Sequence, residues 1–266
     1  MHPYLALPRP HLFGHRGASG EAPENTRVAF ELALGQGVRF LEMDCHATRD
    51  GEIVILHDPD VDRVTNGTGA VKEYGFAKLR ELDAGFHFSP DRQRFPYRGQ
   101  GVRVPSLIEV LDAFPEAHVN LEIKQADPPI AEEVVRILRR ARATERVLLA
   151  AEQDEVMADI HRIDPGTAIG SSRGDVIDFF KALHEGRGER FEPRGDALQI
   201  PPRFLDRVLI TQESVTAAHR LGLCVHVWTL NEPAEMRELL ELQVDGLMSD
   251  FPRRLARVAL GRADAP

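Results

Sequence analysis

The feature that most restricts the fold is a repeated alternation of short β-rich runs with longer stretches of helical period. The runs "HLFGH", "VRFLEMDC", "EIVILHD", "HVNLEIK", "RVLLAAE", "TAIGSS", "DALQIP", "LCVHVWTL" and "VDGLMSD" alternate with helical segments over 25–36, 106–114, 130–143, 154–163, 175–185, 212–221 and 233–242. Strands separated in this way pair in parallel, because a parallel connection needs a crossover of a dozen or more residues. Without a Gly-rich nucleotide fingerprint, such a series predicts a closed TIM (β/α)8 barrel rather than an open doubly wound sheet. A chain of 266 residues suits one such domain. Residues that act on a ligand are then expected at the C-terminal ends of the strands. Asn25 with Thr26, Ser106 with Glu109, and Asn231 with Pro233 carry helix-start chemistry.

One connection breaks the alternation. "ATRDGE", between "LEMDC" and "IVILHD", is too short for a crossover and predicts a hairpin. With Asp50 and Gly51 as its two central residues, Arg49 pairs with Glu52, His46 with Ile55 and Asp44 with His57. That register sets His57 directly beside Asp44. The segment from Pro59 to Val104, with "TNGTG" and "FSPDRQRFPYRGQG", has no sustained period and is expected as a small inserted subdomain over the barrel mouth. Its Phe86, Phe88, Phe95 and Tyr97 form either a small core or a lip for an acyl chain.

Several polar residues interrupt otherwise apolar strand ends: His15 and Arg16, Glu42 and Asp44, His57 and Asp58, Glu122 and Lys124. Residues two apart on a strand point the same way, so Glu42 shares a side with Asp44, and Glu122 with Lys124. Three converging carboxylates repel, by about 4 kcal/mol per pair at 4 Å and an effective dielectric near 20. A divalent cation resolves this, and all-oxygen donors suit Mg²⁺ or Ca²⁺. His15 and His57 are then free for proton transfer, while Arg16 and Lys124 supply charge for an anionic substrate. The plainer alternatives are ion pairing of Glu42 or Asp44 with Arg39 or Arg49, and Lys124 acting only to orient Glu122. Trp228, the sole tryptophan, is expected to fill the barrel top. Gln199 and Asn231 also stand at strand ends, and His46, His118, His161, His184 and His219 read as structural.

Net charge bears on the partner. At −9, the chain does not favour nucleic acid or an anionic membrane, so a phosphate-bearing substrate has to be met by local positive charge. No run reaches the roughly 18 apolar residues of a membrane helix, and the amino terminus lacks a secretory pattern. Cys45 and Cys224 match no metal-ligand spacing and read as free buried thiols, so a cytoplasmic setting is expected.

"HRGASGEAPENT", "EMDCHATRDGEIVILHD", "VDRVTNGTG", "LDAG", "PSLIEVL", "NLEIK", "VHVWTLN" and "DGLMSDFP" occur in that order, and together they resemble the motif series of the glycerophosphodiester phosphodiesterase family from residue 12 to 252. The resemblance implies a TIM barrel with an insertion after His57. It implies a divalent cation on Glu42, Asp44 and Glu122, general acid and base roles for His15 and His57, phosphate contacts from Arg16 and Lys124, and Trp228 as a wall for the substrate's alcohol portion. The implied reaction converts a small-molecule glycerophosphodiester to sn-glycerol 3-phosphate and an alcohol, through a cyclic 1,2-phosphate. The link from "LDAG" to "PSLIEVL" is longer than the compact family pattern and keeps lysophospholipase D-type cleavage as the alternative. A metal-dependent aldolase or isomerase on the same barrel, and a non-catalytic binding protein, are the readings from other classes.

Overall fold

A computed structural model of the protein describes residues 2–261. In chain order the elements are β1 (His11–Gly14), α1 (Arg27–Gly35), β2 (Phe40–Ala47), β3 (Ile53–Ile55), α2 (Phe76–Leu79), α3 (Leu107–Ala113), β4 (His118–Ile123), α4 (Ala131–Arg140), β5 (Val147–Ala150), α5 (Asp154–Ile163), β6 (Ala168–Ile169), α6 (Arg173–His184), β7 (Ala197–Ile200), β8 (Arg203–Phe204), β9 (Arg207–Val208), α7 (Gln212–Arg220), β10 (Cys224–Val227), α8 (Pro233–Glu241), β11 (Gly246–Ser249) and α9 (Pro252–Ala259). Eight parallel strands form the expected TIM (β/α)8 barrel, in the order β6-β5-β4-β2-β1-β11-β10-β7. The last seam, between β6 and β7, is joined by a parallel bridge from Gly170 to Ala197.

Period-two alternation sorts side chains between two environments. Leu41, Met43, Val119, Leu121, Val147 and Leu149 face outward into the layer beneath the helices, and Leu198, Val225, Val227 and Leu247 do the same on the other side. Their neighbours Phe13, Phe40, Leu148, Ala150, Ala168, Ala197, Cys224 and Met248 fill the interior with Tyr4, which enters from the amino-terminal segment. Tyr4 packs on His11, Phe40 and His118, so the end of the barrel away from the strand C-termini is plugged. His11 and His226 meet through ring nitrogens at 3.3 Å within this packing, and the acidic side chains of β2 and β4 lie toward the opposite end.

Local chemistry sets most helix starts. Thr26 caps α1 and accepts from the Ala29 N–H, and Ser106 with Glu109 closes the expected capping box on α3. Ser172 and Asp175 form another on α6. Asn231 does not cap α8; Glu232 holds that position without a side-chain bond, and Asn231 is engaged elsewhere. Cys45 and Cys224 are free and buried, as expected. Among the described residues, no helix is long and apolar enough to cross a membrane.

The β2–β3 hairpin forms, one residue out of the expected register. Cys45 pairs with Ile55, His46 with Val54 and Ala47 with Ile53. The turn holds three residues, not two: the Thr48 N–H donates to Glu52 O at 2.9 Å, and Gly51 sits at φ 85°. This is the three-residue turn ending in a left-handed residue, and it moves every pair by one. Asp44 therefore lies opposite Leu56, whose N–H donates to its carbonyl at 3.0 Å, and His57 follows the strand rather than facing Asp44.

Residues 59–104 pack around Val61, Val71, Leu79, Ala84, Val102 and Val104, which join Val54 and Leu56 in one buried cluster. Asp83 of "LDAG" accepts from the Gly85 and Gly99 N–H groups and ties the two ends of the longer link together. Arg98 stacks between Phe86 and Phe95, and Phe88 meets Tyr97, so these rings pack mostly on one another and on an arginine.

After β1 the chain reverses through Arg16 and Gly17, both at positive φ. A Cβ on Gly17 would lie 2.6 Å from the Ala29 carbonyl carbon of α1, and Gly17 has φ 83°. Gly17→Ala is therefore expected to destabilise the protein by about 2 kcal/mol or more, from conformational strain plus overpacking, as measured by urea denaturation.

Candidate active site at the carboxyl ends of the strands

β2 and β4 pair in parallel with Glu42 beside Asn120 and Asp44 beside Glu122. Both strands point these side chains inward, so Glu42, Asp44 and Glu122 converge at the open end of the barrel. One carboxylate oxygen from each lies within 4.8 Å of those of the other two. Below them, Gln199 on β7 donates to Asn120 at 2.7 Å and spans the interior.

Cations and amides surround the trio. The Lys124 ammonium is 2.7 Å from Glu122 and 3.3 Å from Asp44. Arg16 gives its backbone N–H to Glu42 Oε2 at 2.9 Å, and its Nε lies 3.3 Å from Asp44 Oδ2. Asn25, held at φ 56°, donates its side-chain amide to the same Asp44 oxygen at 2.9 Å. It thus tethers the loop to β2, while Thr26 does the capping. Burial and the neighbouring Asp44 push the Glu42 carboxyl up to about 7. Burial also raises Glu122, against the pull of Lys124. Asp44 stays low although it is buried, because Lys124 and Arg16 outweigh the desolvation. Lys124 is likewise held charged, its burial outweighed by Asp44 and Glu122.

An all-carboxylate donor set with two members pushed toward protonation fits a hard divalent cation: oxygen donors match Mg²⁺ or Ca²⁺, and added positive charge would lower both carboxyls.

Each of the two histidines is hydrogen-bonded to an aspartate through Nδ1. His15, just past β1, has Nδ1 2.7 Å from Asp250 Oδ1, and Nε2 3.9 Å from Glu42 Oε2. Because a carboxylate only accepts, the proton belongs on Nδ1. Burial works against the imidazolium of His15, but the bond to Asp250 and the charge of Glu42 prevail and raise its pKa. Asp250, despite its own burial, is held at about 2 by His15, Ser19 and Asn231. His57 meets Asp58 through Nδ1 at 2.7 Å, and its carbonyl accepts from His46 at 3.0 Å. Arg63, inside "VDRVTNGTG", binds Asp58 through Nε and Glu24 through both terminal nitrogens at 2.7 Å. Glu24 in turn accepts from Arg16 at 2.9 Å.

The structure thus brings together His15, Arg16, Glu42, Asp44, Glu122 and Lys124. His57 follows β3 onto the same rim, oriented by Asp58 through Nδ1. Trp228 departs from the expected barrel filler: it is 41% exposed just past β10, and its backbone N–H donates to Ile200 O at 3.3 Å. Packing around Phe13, Met248 and His226 already fills the interior below it. Asp250, Glu24 and Arg63 were not singled out from the sequence. "DGLMSDFP" carried a signal for Asp250, an acidic residue directly after an apolar strand, whereas the Glu24–Arg63 contact joins two loops and has no sequence signature.

A family model described as the glycerophosphoryl diester phosphodiesterase family matches residues 15–254. The chain is 30% identical over 251 residues to a glycerophosphodiester phosphodiesterase of Caldanaerobacter subterraneus subsp. tengcongensis, covering 92% of this chain and 95% of that protein. It is 25% identical over 266 residues to a lysophospholipase D of Mus musculus, covering 91% and 83% respectively. The crystal structure of a glycerophosphodiester phosphodiesterase from Agrobacterium tumefaciens matches with TM-score 0.76 at 28% identity, covering 93% of this chain and 99% of that one.

The His15–Asp250 pair has a defined pH signature. A histidine pKa raised in the folded state contributes stability that is complete below the unfolded value of about 6.5 and fades as pH rises through the folded pKa. The depressed Asp250 contributes above its unfolded value of 3.8, fading as pH falls through about 2. Asp250→Asn should therefore destabilise the metal-free protein most between about pH 4 and 6.5, by about 2 kcal/mol, and lower the His15 pKa seen by histidine NMR. An unchanged His15 titration would contradict this coupling.

Proposed function

The chain belongs to the glycerophosphoryl diester phosphodiesterase family and is a phosphoric diester hydrolase; we propose that it cleaves glycerophosphodiesters to sn-glycerol 3-phosphate and an alcohol such as choline or ethanolamine. The observation that carries this reading is the convergence of Glu42, Asp44 and Glu122 between two aspartate-bound histidines, with Arg16 and Lys124 at the same rim. Glu42, Asp44 and Glu122 would hold Mg²⁺ or Ca²⁺. When bound, that ion supplies positive charge for the phosphodiester oxygens and lowers the pKa of a nearby hydroxyl.

The chain's own groups divide the remaining work. Arg16 offers guanidinium donors to a phosphate oxygen, and Lys124 a single ammonium charge. With Nδ1–H given to Asp58, His57 presents Nε2 as the base that takes the proton from the substrate's glycerol 2-hydroxyl. The 2-oxygen attacks phosphorus, the bond from phosphorus to the alcohol oxygen breaks, and a cyclic 1,2-phosphate forms. His15, whose pKa Asp250 and Glu42 raise against its burial, gives the leaving alkoxide its proton from Nε2. Water then opens the ring, with His15 as base and His57 as acid. Asp58 and Asp250 act through the histidines as positioning residues. Trp228 offers an apolar wall for the departing alcohol, and residues 59–104 border the site as an insertion in a single domain. A cytoplasmic setting fits two free, buried thiols.

Lysophospholipase D-type cleavage is kept as a second reading, because Trp228 and the β8–β9 hairpin expose apolar side chains beside the mouth, and a relative carries that name.

The test is release of glycerol 3-phosphate from glycerophosphocholine and glycerophosphoethanolamine after EDTA treatment, with Mg²⁺ or Ca²⁺ restored separately; restored release names the ion, and silence under both ions overturns the reading. Lysophosphatidic acid released from lysophosphatidylcholine supports the second reading. His15→Ala and His57→Ala should each lower kcat by about 10²–10⁴-fold with cation affinity retained by calorimetry. Loss of cation binding in either variant would make that histidine a ligand.

A further inference from the structure

The β8–β9 hairpin rises from the open rim of the barrel and buries little of itself. It begins two prolines after β7 ends, with Arg203 paired to Val208 and Phe204 to Arg207. The Leu209 N–H returns to Pro202 O at 2.9 Å and closes its base. Phe204 is 55% exposed, Leu205 85% and Val208 48%. With Trp228, just past the neighbouring strand β10, they make up four of the seven exposed large hydrophobic residues of the described chain, so the apolar surface is concentrated on this rim. Leu205 occupies the turn at φ 51°, a conformation that favours glycine. An apolar side chain there gains nothing from packing and stands furthest into solvent.

Two cations accompany this apolar tip. Arg203 and Arg207 are exposed, and neither forms an ion pair among the described residues. Apolar side chains with unpaired arginines beside them, on the face that carries the catalytic opening, match the surface of a phospholipid layer: hydrocarbon for Phe204, Leu205 and Val208, phosphate for Arg203 and Arg207. We propose that the β8–β9 hairpin seats the mouth of the barrel on a phospholipid surface bearing anionic headgroups. A second copy of this chain fits less well, because a two-fold contact hairpin to hairpin sets the unpaired arginines against each other. The whole-chain charge of −9 does not prevent docking: at physiological ionic strength the Debye length is about 8 Å, so a headgroup at the hairpin responds chiefly to Arg203 and Arg207. Asp206 shares the turn, which limits entry to headgroup depth.

The experiment is flotation of the full chain with vesicles of phosphatidylglycerol and phosphatidylcholine, or of phosphatidylcholine alone, read together with the emission of Trp228, the only tryptophan. Binding to the anionic vesicles, weakened by salt and accompanied by a blue shift of Trp228, is expected. Phe204→Asp combined with Leu205→Asp should weaken it about tenfold or more, and Arg203→Gln with Arg207→Gln should remove the preference for the anionic vesicles. Turnover of soluble glycerophosphocholine should stay unchanged in these variants, which checks folding; binding itself is read without turnover, so failure of the proposed reaction would not mask the result. No binding by the unaltered protein, or binding indifferent to both pairs of substitutions, overturns the proposal. A hairpin variant that changes only self-association in analytical ultracentrifugation also overturns it, in favour of a second copy.

Discussion

The rest of the site depends on the mutual repulsion of three carboxylates inside a barrel. Glu42 and Asp44 are buried and Glu122 is partly so, and at this spacing each raises the cost of ionising the others. Asp44 bears most of the compensation: Lys124 from the end of β4, Arg16 and Asn25 from the loop after β1 all reach it. That demand explains why both Arg16 and Asn25 hold left-handed backbone conformations, since the loop has to turn back twice to deliver them. Glu42, further from Lys124, is the member pushed up to about 7. The loop's shape follows from the charge it has to answer.

Around this centre the histidines are fixed from outside. Asp250 is itself held by Ser19 and Asn231, while Asp58 is held by Arg63, which also grips Glu24 and so reaches Arg16. A chain of ion pairs therefore links the orientation of His57 to that of the guanidinium expected to meet phosphate. Rigidity here comes from loops bonded to loops, with the barrel supplying only the anchoring points.

Much of this was legible in the amino-acid sequence. The alternation of strand and helix, the shared side of Glu42 with Asp44 and of Glu122 with Lys124, and the place of His15 at a strand end all follow from periodicity. What escaped it depended on single residues or on contacts between distant segments. One extra residue in the turn before Glu52 shifted the hairpin register, because "RDG" closes equally well with two or three loop residues until tertiary contacts choose; the Asp50 side chain accepts from the Phe76 N–H and settles the matter. The β8–β9 hairpin was missed because two-residue strands carry no periodicity. α9 lay past the last recognised strand and was likewise absent from the reading. Asn231 looked like a cap, but its side-chain oxygen, the atom a cap uses, accepts instead from the Asp250 N–H at 3.1 Å, while its amide donates to Asp250 Oδ2.

His15 and Asp250 directly follow strands β1 and β11, which neighbour each other in the ring yet bracket nearly the whole barrel in chain order. During synthesis, His15 emerges early and waits for its partner until β11 has docked against β1. Until that closing strand arrives, His15 lacks its orienting acceptor and the carboxylate that raises its pKa. The three carboxylates, by contrast, need only β2 and β4 side by side, so the two halves of the site depend on different pairings of the ring.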